Sequence, residues 1–185
     1  KALDFSYNYY KDKFRKGIKF PYFNYLSSVS NLIIENNGST DEAIAALIHD
    51  FFELEKLSRK SNFIKNKFGI KVFNIVKQCS DLEEYNLDQD LWLIQKKKYL
   101  ETMPKKSQSS LLVILCDKLH SINCMINDHN KIGKKLWKNY FQTPEDVLWY
   151  YKSLCKNFKK FLKNHKSLKD KFQRNVNELE NKIKN

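Results

Sequence analysis

Apolar residues recur every three or four positions along most of the chain, which is the spacing of helices with one buried face. The first such run extends roughly from Leu3 to Asp12. The second begins near Tyr22 and ends before Asn37-Gly38, a dipeptide typical of a helix end. A sustained alternation of apolar and polar residues, as in a half-buried strand, occurs nowhere. The pattern therefore predicts an all-α fold.

The same spacing predicts further helices, separated by glycine, proline and polar residues. They are a helix opened after Ser39, a short helix at Ser61–Phe68 stopped by Gly69, a helix from Val72 to near Cys79, a helix at Leu91–Glu101, a long apolar helix after a break at residues 104–109, and a helix opening near Asp146 after a break at Gly133. Residues 81–90 are acidic and aperiodic, so we expect a loop there.

Ser39 and Glu42 have the spacing of a capping box, in which each side chain bonds the other residue's backbone amide. The helix that they open is predicted to carry His49 and Asp50 within an apolar run. A charged aspartate in such a helix is costly unless it is paired or binds a cation. Burying a charged Asp117 in the long apolar helix would be costly for the same reason.

These three polar residues have two interpretations. Converging from two helices, they would form a mixed nitrogen and oxygen site suited to manganese, magnesium or iron. Alternatively, an aspartate–histidine hydrogen bond and a salt bridge at a helix end would account for them without any metal. The residue types alone favour the second interpretation.

The last part of the chain carries one apolar stripe on a basic helix. Its members are Phe161, His165, Leu168, Phe172, Val176, Leu179 and Ile183. The helix opened near Asp146 would either continue into this tail or precede it. We divide the chain into a helical domain at residues 1–158 and an amphipathic helix at residues 159–185 that packs on it. The stripe could also pair with a second copy, so a homodimer is one of the expected partners.

Composition and net charge indicate which classes of partner to expect. The net charge of +13 could attract nucleic acid, anionic lipid or a phosphorylated ligand, but the lysines are spread along the chain and no RNA-binding motif accompanies them. Nucleic acid is therefore a secondary expectation, and we expect no membrane span. The four cysteines form no CxxC pair, which indicates reduced thiols in a cytoplasmic protein. The chain starts at Lys1 without a methionine, so upstream residues could have been removed.

Five segments, taken in order, resemble the HD-domain superfamily. They are "RKGIKFPYFNYL", "DEAIAALIHDFFE", "FGIKVFNIVKQCSD", "LLVILCDKLHSINCMI" and "IGKKLWKNYF", and the likeness extends from about Phe14 to Phe158. The chain is most similar to the small RelA/SpoT-type hydrolases, which remove the 3′-pyrophosphate from guanosine tetraphosphate (ppGpp). The resemblance implies an all-helical HD-domain bundle with a divalent metal, usually manganese.

The resemblance also implies residue roles. His49 and Asp50 match the metal-binding pair of the family, and Asp117 matches its distal metal aspartate. Glu53 matches the first acid of a Glu-Asp pair that positions the attacking water. Tyr25 stands where the family has its first metal histidine, and no other histidine precedes His49.

Substrate binding is implied for a second group of residues. Arg15 and Lys16 match a loop that contacts the nucleotide, Lys118 lies beside the metal aspartate, and Ser121 replaces a usual asparagine. Leu54 replaces the second acid of the Glu-Asp pair. Two hypotheses follow. The protein is either a metal-dependent phosphohydrolase with an altered site, whose metal could be absent, or a catalytically inactive HD-fold protein that binds a nucleotide or a protein partner.

Overall fold

The computed structural model describes residues 1–55, 57–80, 89–140 and 142–184, apart from the side chains of residues 54, 57–59, 89 and 90. Helices cover most of these residues, and the described part has no strand beyond an isolated bridge between Phe14 and Pro21. The α-helices are α1 (Ala2–Tyr10), α2 (Tyr22–Glu35), α3 (Thr40–Leu47), α4 (Phe51–Leu54), α5 (Leu57–Phe68), α6 (Ile70–Cys79), α7 (Gln89–Thr102), α8 (Gln108–Ile132), α9 (Pro144–Phe161) and α10 (Lys166–Lys184). Two 3₁₀ segments, Met103–Lys105 and Gly133–Asn139, precede and follow α8. The predicted all-α class is confirmed.

The chain divides into two compact units, each assembled from several segments. The first unit comprises Lys1–Arg15, Phe20–Leu82 and Lys106–Asp117, and the second comprises Lys16–Lys19, Glu83–Lys105 and Lys118–Asn185. Helix α8 contributes its first part to the first unit and its remainder to the second. The division that we predicted at residue 158 stays a prediction.

In the first unit, α3 packs against α1, α2 and α6, so it is the central helix. Two buried serines connect its neighbours to it. The Ser6 hydroxyl of α1 donates to the Leu47 carbonyl at 2.8 Å, and the Ser30 hydroxyl of α2 donates to the Ala43 carbonyl at 3.0 Å. These side-chain bonds let α1 and α2 lie close to the backbone of α3.

The expected capping box at the start of α3 is confirmed. The Ser39 hydroxyl accepts from the Glu42 amide at 3.3 Å, and the Glu42 carboxylate accepts from the Ser39 amide at 2.7 Å. Gly38, just before it, closes α2 by donating its amide to the Ile33 carbonyl. A Cβ at residue 38 would lie 2.3 Å from Ile33 Cγ2, so only glycine fits this connection.

The prediction that one helix carries His49 and Asp50 was wrong. Helix α3 ends at Leu47, and residues 48–50 form a turn before α4. Ile48 leaves helical geometry with φ −136° and ψ 17°, and the turn is closed by backbone bonds from the Ile48 amide to Ala45 and from the Phe51 amide to Ile48. Apolar periodicity could not show this break because the residues on both sides are buried.

In the second unit, α9 packs against α7 and α10. The Phe158 and Phe172 rings meet edge to face at 5.5 Å, and Trp92 of α7 meets Tyr150 of α9 at 5.8 Å. The segment at residues 16–19 belongs to the same unit, where the Ile18 amide donates to the Asp128 carboxylate at 3.2 Å.

Helices α9 and α10 are separate, because the chain leaves helical geometry at residues 162–165 and His165 has φ +60°. Four of the predicted stripe residues are buried against the protein: Leu168, Phe172, Val176 and Leu179. The expected packing of residues 159–185 on a domain at residues 1–158 stays a prediction. Phe161, His165 and Ile183 of the stripe are half-buried, and the expected homodimer stays a prediction.

Other boundaries differ by a few residues. The first helix ends at Tyr10 and α5 begins at Leu57, earlier than Ser61. Most of the loop expected at residues 81–90 lies outside the described residues. The four cysteines all belong to the described part of the chain and form no disulfide there, and three of them, Cys79, Cys116 and Cys155, are buried.

One segment, Gln108–Asn139, has the length and composition of a membrane-spanning helix, although we expected no span from the sequence. Its most apolar window is 67% buried inside the protein, as in the core helix of a water-soluble protein, so length and composition are weak evidence for a span.

Candidate functional site

The turn between α3 and α4 holds the His49 ring in one orientation. Its Nδ1 lies 2.8 Å from the Ala46 carbonyl oxygen. Because a carbonyl only accepts, Nδ1 carries the proton of this bond. The Ser80 hydroxyl, at the end of α6, donates to the His49 carbonyl at 3.3 Å. These contacts leave Nε2 as the nitrogen that is available for chemistry.

His49 Nε2 faces two carboxylates in a buried position. It lies 3.3 Å from Asp50 Oδ2 and 3.4 Å from Asp117 Oδ1, and only 4% of the histidine side chain is exposed. Neither contact has hydrogen-bond geometry, so Nε2 is a buried polar atom without a hydrogen-bond partner among the residues that the structure describes. The structure therefore brings together the three residues that the sequence proposed as metal ligands.

The charge of His49 is governed by burial and by the two carboxylates. Burial alone lowers the pKa of an imidazole, but the nearby negative charges of Asp50 and Asp117 outweigh it and raise the pKa of His49 to about 10. Without a metal, the histidine is therefore positively charged at neutral pH and pairs electrostatically with both aspartates.

Two tyrosines of α2 complete the group. Tyr25, at the position of the expected histidine, is buried, and its hydroxyl donates a short hydrogen bond to Asp117 Oδ1. The Tyr22 hydroxyl donates a short hydrogen bond to Asp50 Oδ2. Burial, followed by the charge of Asp50, raises the pKa of Tyr22 well above its ordinary value. The Tyr22 phenol is therefore a neutral donor in the metal-free protein.

We define the centre as Tyr22, Tyr25, His49, Asp50 and Asp117, and its donors suit a hard cation. Two ligands about 2.0–2.2 Å from one ion lie roughly 3–3.5 Å from each other, and His49 Nε2 has such spacings to both carboxylates. The unpartnered Nε2 is the atom that a cation would satisfy. In the described part of the chain, His, Cys, Asp and Glu alone form no group of three or more arranged to hold a metal ion. The two phenol oxygens contact this group through their hydrogen bonds to Asp50 and Asp117.

Glu53 lies on α4, one turn after Asp50, and is half-buried. Its amide donates to the Asp50 carbonyl at 3.1 Å. The pKa of Tyr10 is raised mainly by burial, next by the negative charge of Asp50, and to a smaller extent by that of Glu53. The buried Tyr10 hydroxyl has no hydrogen-bond partner within the described ranges. Glu53 thus acts electrostatically on this neighbourhood, whereas the side chain of Leu54, its predicted companion, lies outside the described residues.

The residues expected to bind substrate fall in both units. Arg15 is half-buried in the first unit, where its amide donates to the Phe20 carbonyl at 2.9 Å. Lys16 is exposed, and Lys118 and Ser121 are half-buried, all in the second unit. The Ser121 hydroxyl accepts a hydrogen bond from the Tyr151 hydroxyl at 2.9 Å. Their roles in binding stay predictions.

Sequence reasoning missed Tyr22, Tyr10 and Ser80. Tyr22 had a usable signal, because residues three apart on a helix share a face and Tyr25 was already a candidate. The rings of Tyr22 and Tyr25 are stacked at 5.7 Å. Tyr10 and Ser80 had no such signal, since each reaches the neighbourhood from a distant part of the chain.

Comparisons with known proteins agree with this architecture. A family model described as "HD domain" matches residues 2–141. The guanosine-3′,5′-bis(diphosphate) 3′-pyrophosphohydrolase MESH1 of Xenopus tropicalis is 30% identical over 156 residues, which are 80% of this chain and 80% of the relative.

Two solved structures share the fold. A metazoan ortholog of SpoT that hydrolyzes ppGpp matches with a TM-score of 0.72 and 20% identity, over 95% of this chain and 92% of that one. The protein lmo0812 of Listeria monocytogenes EGD-e matches with a TM-score of 0.68 and 18% identity, over 87% and 99% of the two chains. At these identities the structures show the fold alone.

Proposed function

The chain belongs to the HD domain family, and we propose that it is a metal-dependent phosphohydrolase that acts on a guanosine nucleotide bearing a 3′-pyrophosphate, such as ppGpp. The observation that carries the proposal is the convergence of His49 Nε2 on Asp50 and Asp117. The name of the Xenopus relative supports the substrate class. A nucleotide substrate and cysteines that form no disulfide in the described part of the chain fit a cytoplasmic protein, which we propose as its location.

His49, Asp50 and Asp117 would hold a divalent ion, and we propose manganese because carboxylates suit hard cations and imidazole accepts transition metals. When bound, such an ion supplies Lewis acidity, which polarises a phosphoryl oxygen and makes water more acidic. Holding the ion also requires His49 to give up its Nε2 proton, so metal affinity should rise with pH.

The chain's own residues would supply the remaining steps. Glu53 would accept the proton of the attacking water and orient it. Arg15 and Lys16 would bind the phosphates and the base, with Lys118 and Ser121 as further substrate contacts. The positive charges of Arg15, Lys16 and Lys118 would attract the negatively charged phosphate groups of the substrate.

The test is release of pyrophosphate from ppGpp by metal-free protein and by protein loaded with manganese. We expect turnover only in the loaded protein. Replacing Glu53 by glutamine should lower it by about 10²–10⁴-fold, because the general base is lost. Asp117→Asn should lose both metal and turnover, whereas the same change at exposed Asp170, on α10, should alter neither. Bound manganese without any turnover would contradict the proposal.

One observation favours a second candidate function, an inactive protein that keeps the fold and binds a nucleotide or a protein partner. The phenols of Tyr22 and Tyr25 already donate hydrogen bonds to oxygen atoms of Asp50 and Asp117. Under this hypothesis the parent protein is inactive, and Tyr25→His combined with Leu54→Asp should restore metal binding and hydrolysis. Ordinary turnover by the parent protein would exclude it.

A further inference from the structure

The two tyrosines bond the same oxygen atoms that face His49. Tyr22 donates to Asp50 Oδ2 and Tyr25 donates to Asp117 Oδ1, and these oxygens lie 3.3 and 3.4 Å from His49 Nε2. These contacts therefore connect one nitrogen and four oxygen atoms in a single partly buried group. A substitute for the expected histidine would require only Tyr25. The contact between Tyr22 and Asp50 is therefore an additional feature of this group.

Local structure places both phenols there. Tyr22 and Tyr25 are three residues apart on α2, so their side chains share a face, and their rings stack with an interplanar angle of 20°. Tyr25 is buried, and Tyr22 is half-buried. The turn at residues 48–50 brings His49 and Asp50 to that face. The direction of both hydroxyls is thus set by backbone geometry and ring packing.

The chemistry of this donor set differs from that of a centre with histidines and carboxylates. Deprotonated phenols are hard, anionic oxygen ligands, and tyrosine oxygen serves as an iron ligand in some haem proteins. Two phenolates, two carboxylates and a neutral imidazole carry four negative charges, which match a trivalent ion better than a divalent ion. Ferric iron is the common biological trivalent ion that favours phenolate.

We propose that the centre binds ferric iron, with Tyr22 and Tyr25 as ligands beside His49, Asp50 and Asp117. Each phenol loses its proton to solvent as its iron–oxygen bond forms, and the His49 imidazolium likewise releases its Nε2 proton to solvent as the iron–nitrogen bond forms. The iron remains ferric throughout, so no oxidant or reductant is required. This inference rests on the proposed function only in placing a cation at the centre. It adds a second metal that would compete with manganese for the same ligands.

The test titrates metal-free protein with ferric nitrilotriacetate and records the visible spectrum. Phenolate-bound ferric iron gives a charge-transfer band that manganese(II), magnesium or ferric iron bound by carboxylates alone does not give. We expect the band to saturate at one iron per chain and resonance Raman spectra excited in it to show tyrosinate vibrations. The Raman measurement uses the unaltered protein, so it does not depend on any variant folding.

Variants assign the ligands. Tyr25→Phe and Tyr22→Phe should each weaken ferric binding by at least the roughly 10–100-fold that follows loss of a partner of a metal ligand, and should reduce the band. Tyr7→Phe, at a side chain that is about half exposed on α1, should leave both unchanged. Circular dichroism would confirm that each variant is folded.

The outcomes separate this inference from the proposed hydrolysis. Absence of the band in the unaltered protein, or a band that persists in both centre variants, would overturn ferric binding. Manganese-dependent hydrolysis without any ferric band would overturn the inference and leave the proposed function standing. A tyrosinate–iron band in a protein that hydrolyses no guanosine nucleotide would support the inference and refute the proposed function.

Discussion

Replacing Tyr25 by phenylalanine isolates the bond between its phenol and Asp117. The ring remains, so the buried packing of Tyr25 is kept and no large cavity forms. The change removes one donor from Asp117 Oδ1, which is buried and has His49 Nε2 as a close neighbour. A hydrogen bond to a charged group is worth about 1.5–3 kcal/mol, and its loss leaves the carboxylate with less compensation for burial.

We therefore expect the free energy of unfolding of the metal-free protein to fall by about 1.5–3 kcal/mol. In a chain of this size each kcal/mol moves the melting temperature by ~2–4 °C. Urea unfolding followed by circular dichroism measures the change. Tyr7→Phe is the matched control and should shift stability by no more than about 0.5 kcal/mol. A Tyr25→Phe protein as stable as the parent would refute the view that the phenol supports Asp117.

Three further predictions concern stability. Because the pKa of His49 is raised to about 10, its contribution to the free energy of unfolding is complete below the ordinary pKa of 6.5 and is lost as pH rises towards 10. Urea midpoints of the metal-free protein should therefore fall over that range, and the fall should be smaller in His49→Gln. Gly38→Ala should cost roughly 1–3 kcal/mol in urea unfolding, since its Cβ would collide with Ile33, and an unchanged midpoint would count against this account. Phe172→Ala should cost about 3–5 kcal/mol and increase amide exchange along α10, whereas unaltered exchange would show that the ring does not hold this helix.

Under the proposed function, the substitution at Tyr25 would change the metal site without removing it. Tyr25 replaces an imidazole nitrogen with a phenol oxygen, yet it still reaches Asp117. The replacement changes the charge, hardness and proton count of the donor set rather than removing a donor. Metal preference is consequently the property in which this chain should differ most from a protein with histidine at that position.

Local sequence determined much of the fold. The apolar period of three to four residues predicted helices, and the Ser39–Glu42 pair marked the start of α3 because a capping box involves only four consecutive residues. The order and spacing of the motifs were also sufficient to nominate His49, Asp50 and Asp117 as ligands. Such features are readable because their physics acts within a few residues or within one helix face.

Tertiary structure decided the rest. The break after Leu47 depends on packing around a turn whose residues are as apolar as a helix, so periodicity missed it. The partners of Tyr22 and Tyr25 lie 28 and 92 residues away along the chain. The raised pKa of His49 results from two carboxylates, Asp50 in the turn after α3 and Asp117 on α8, whose negative charges outweigh the lowering effect of burial. A sequence can nominate candidate ligands, but only folding determines which oxygen faces which nitrogen.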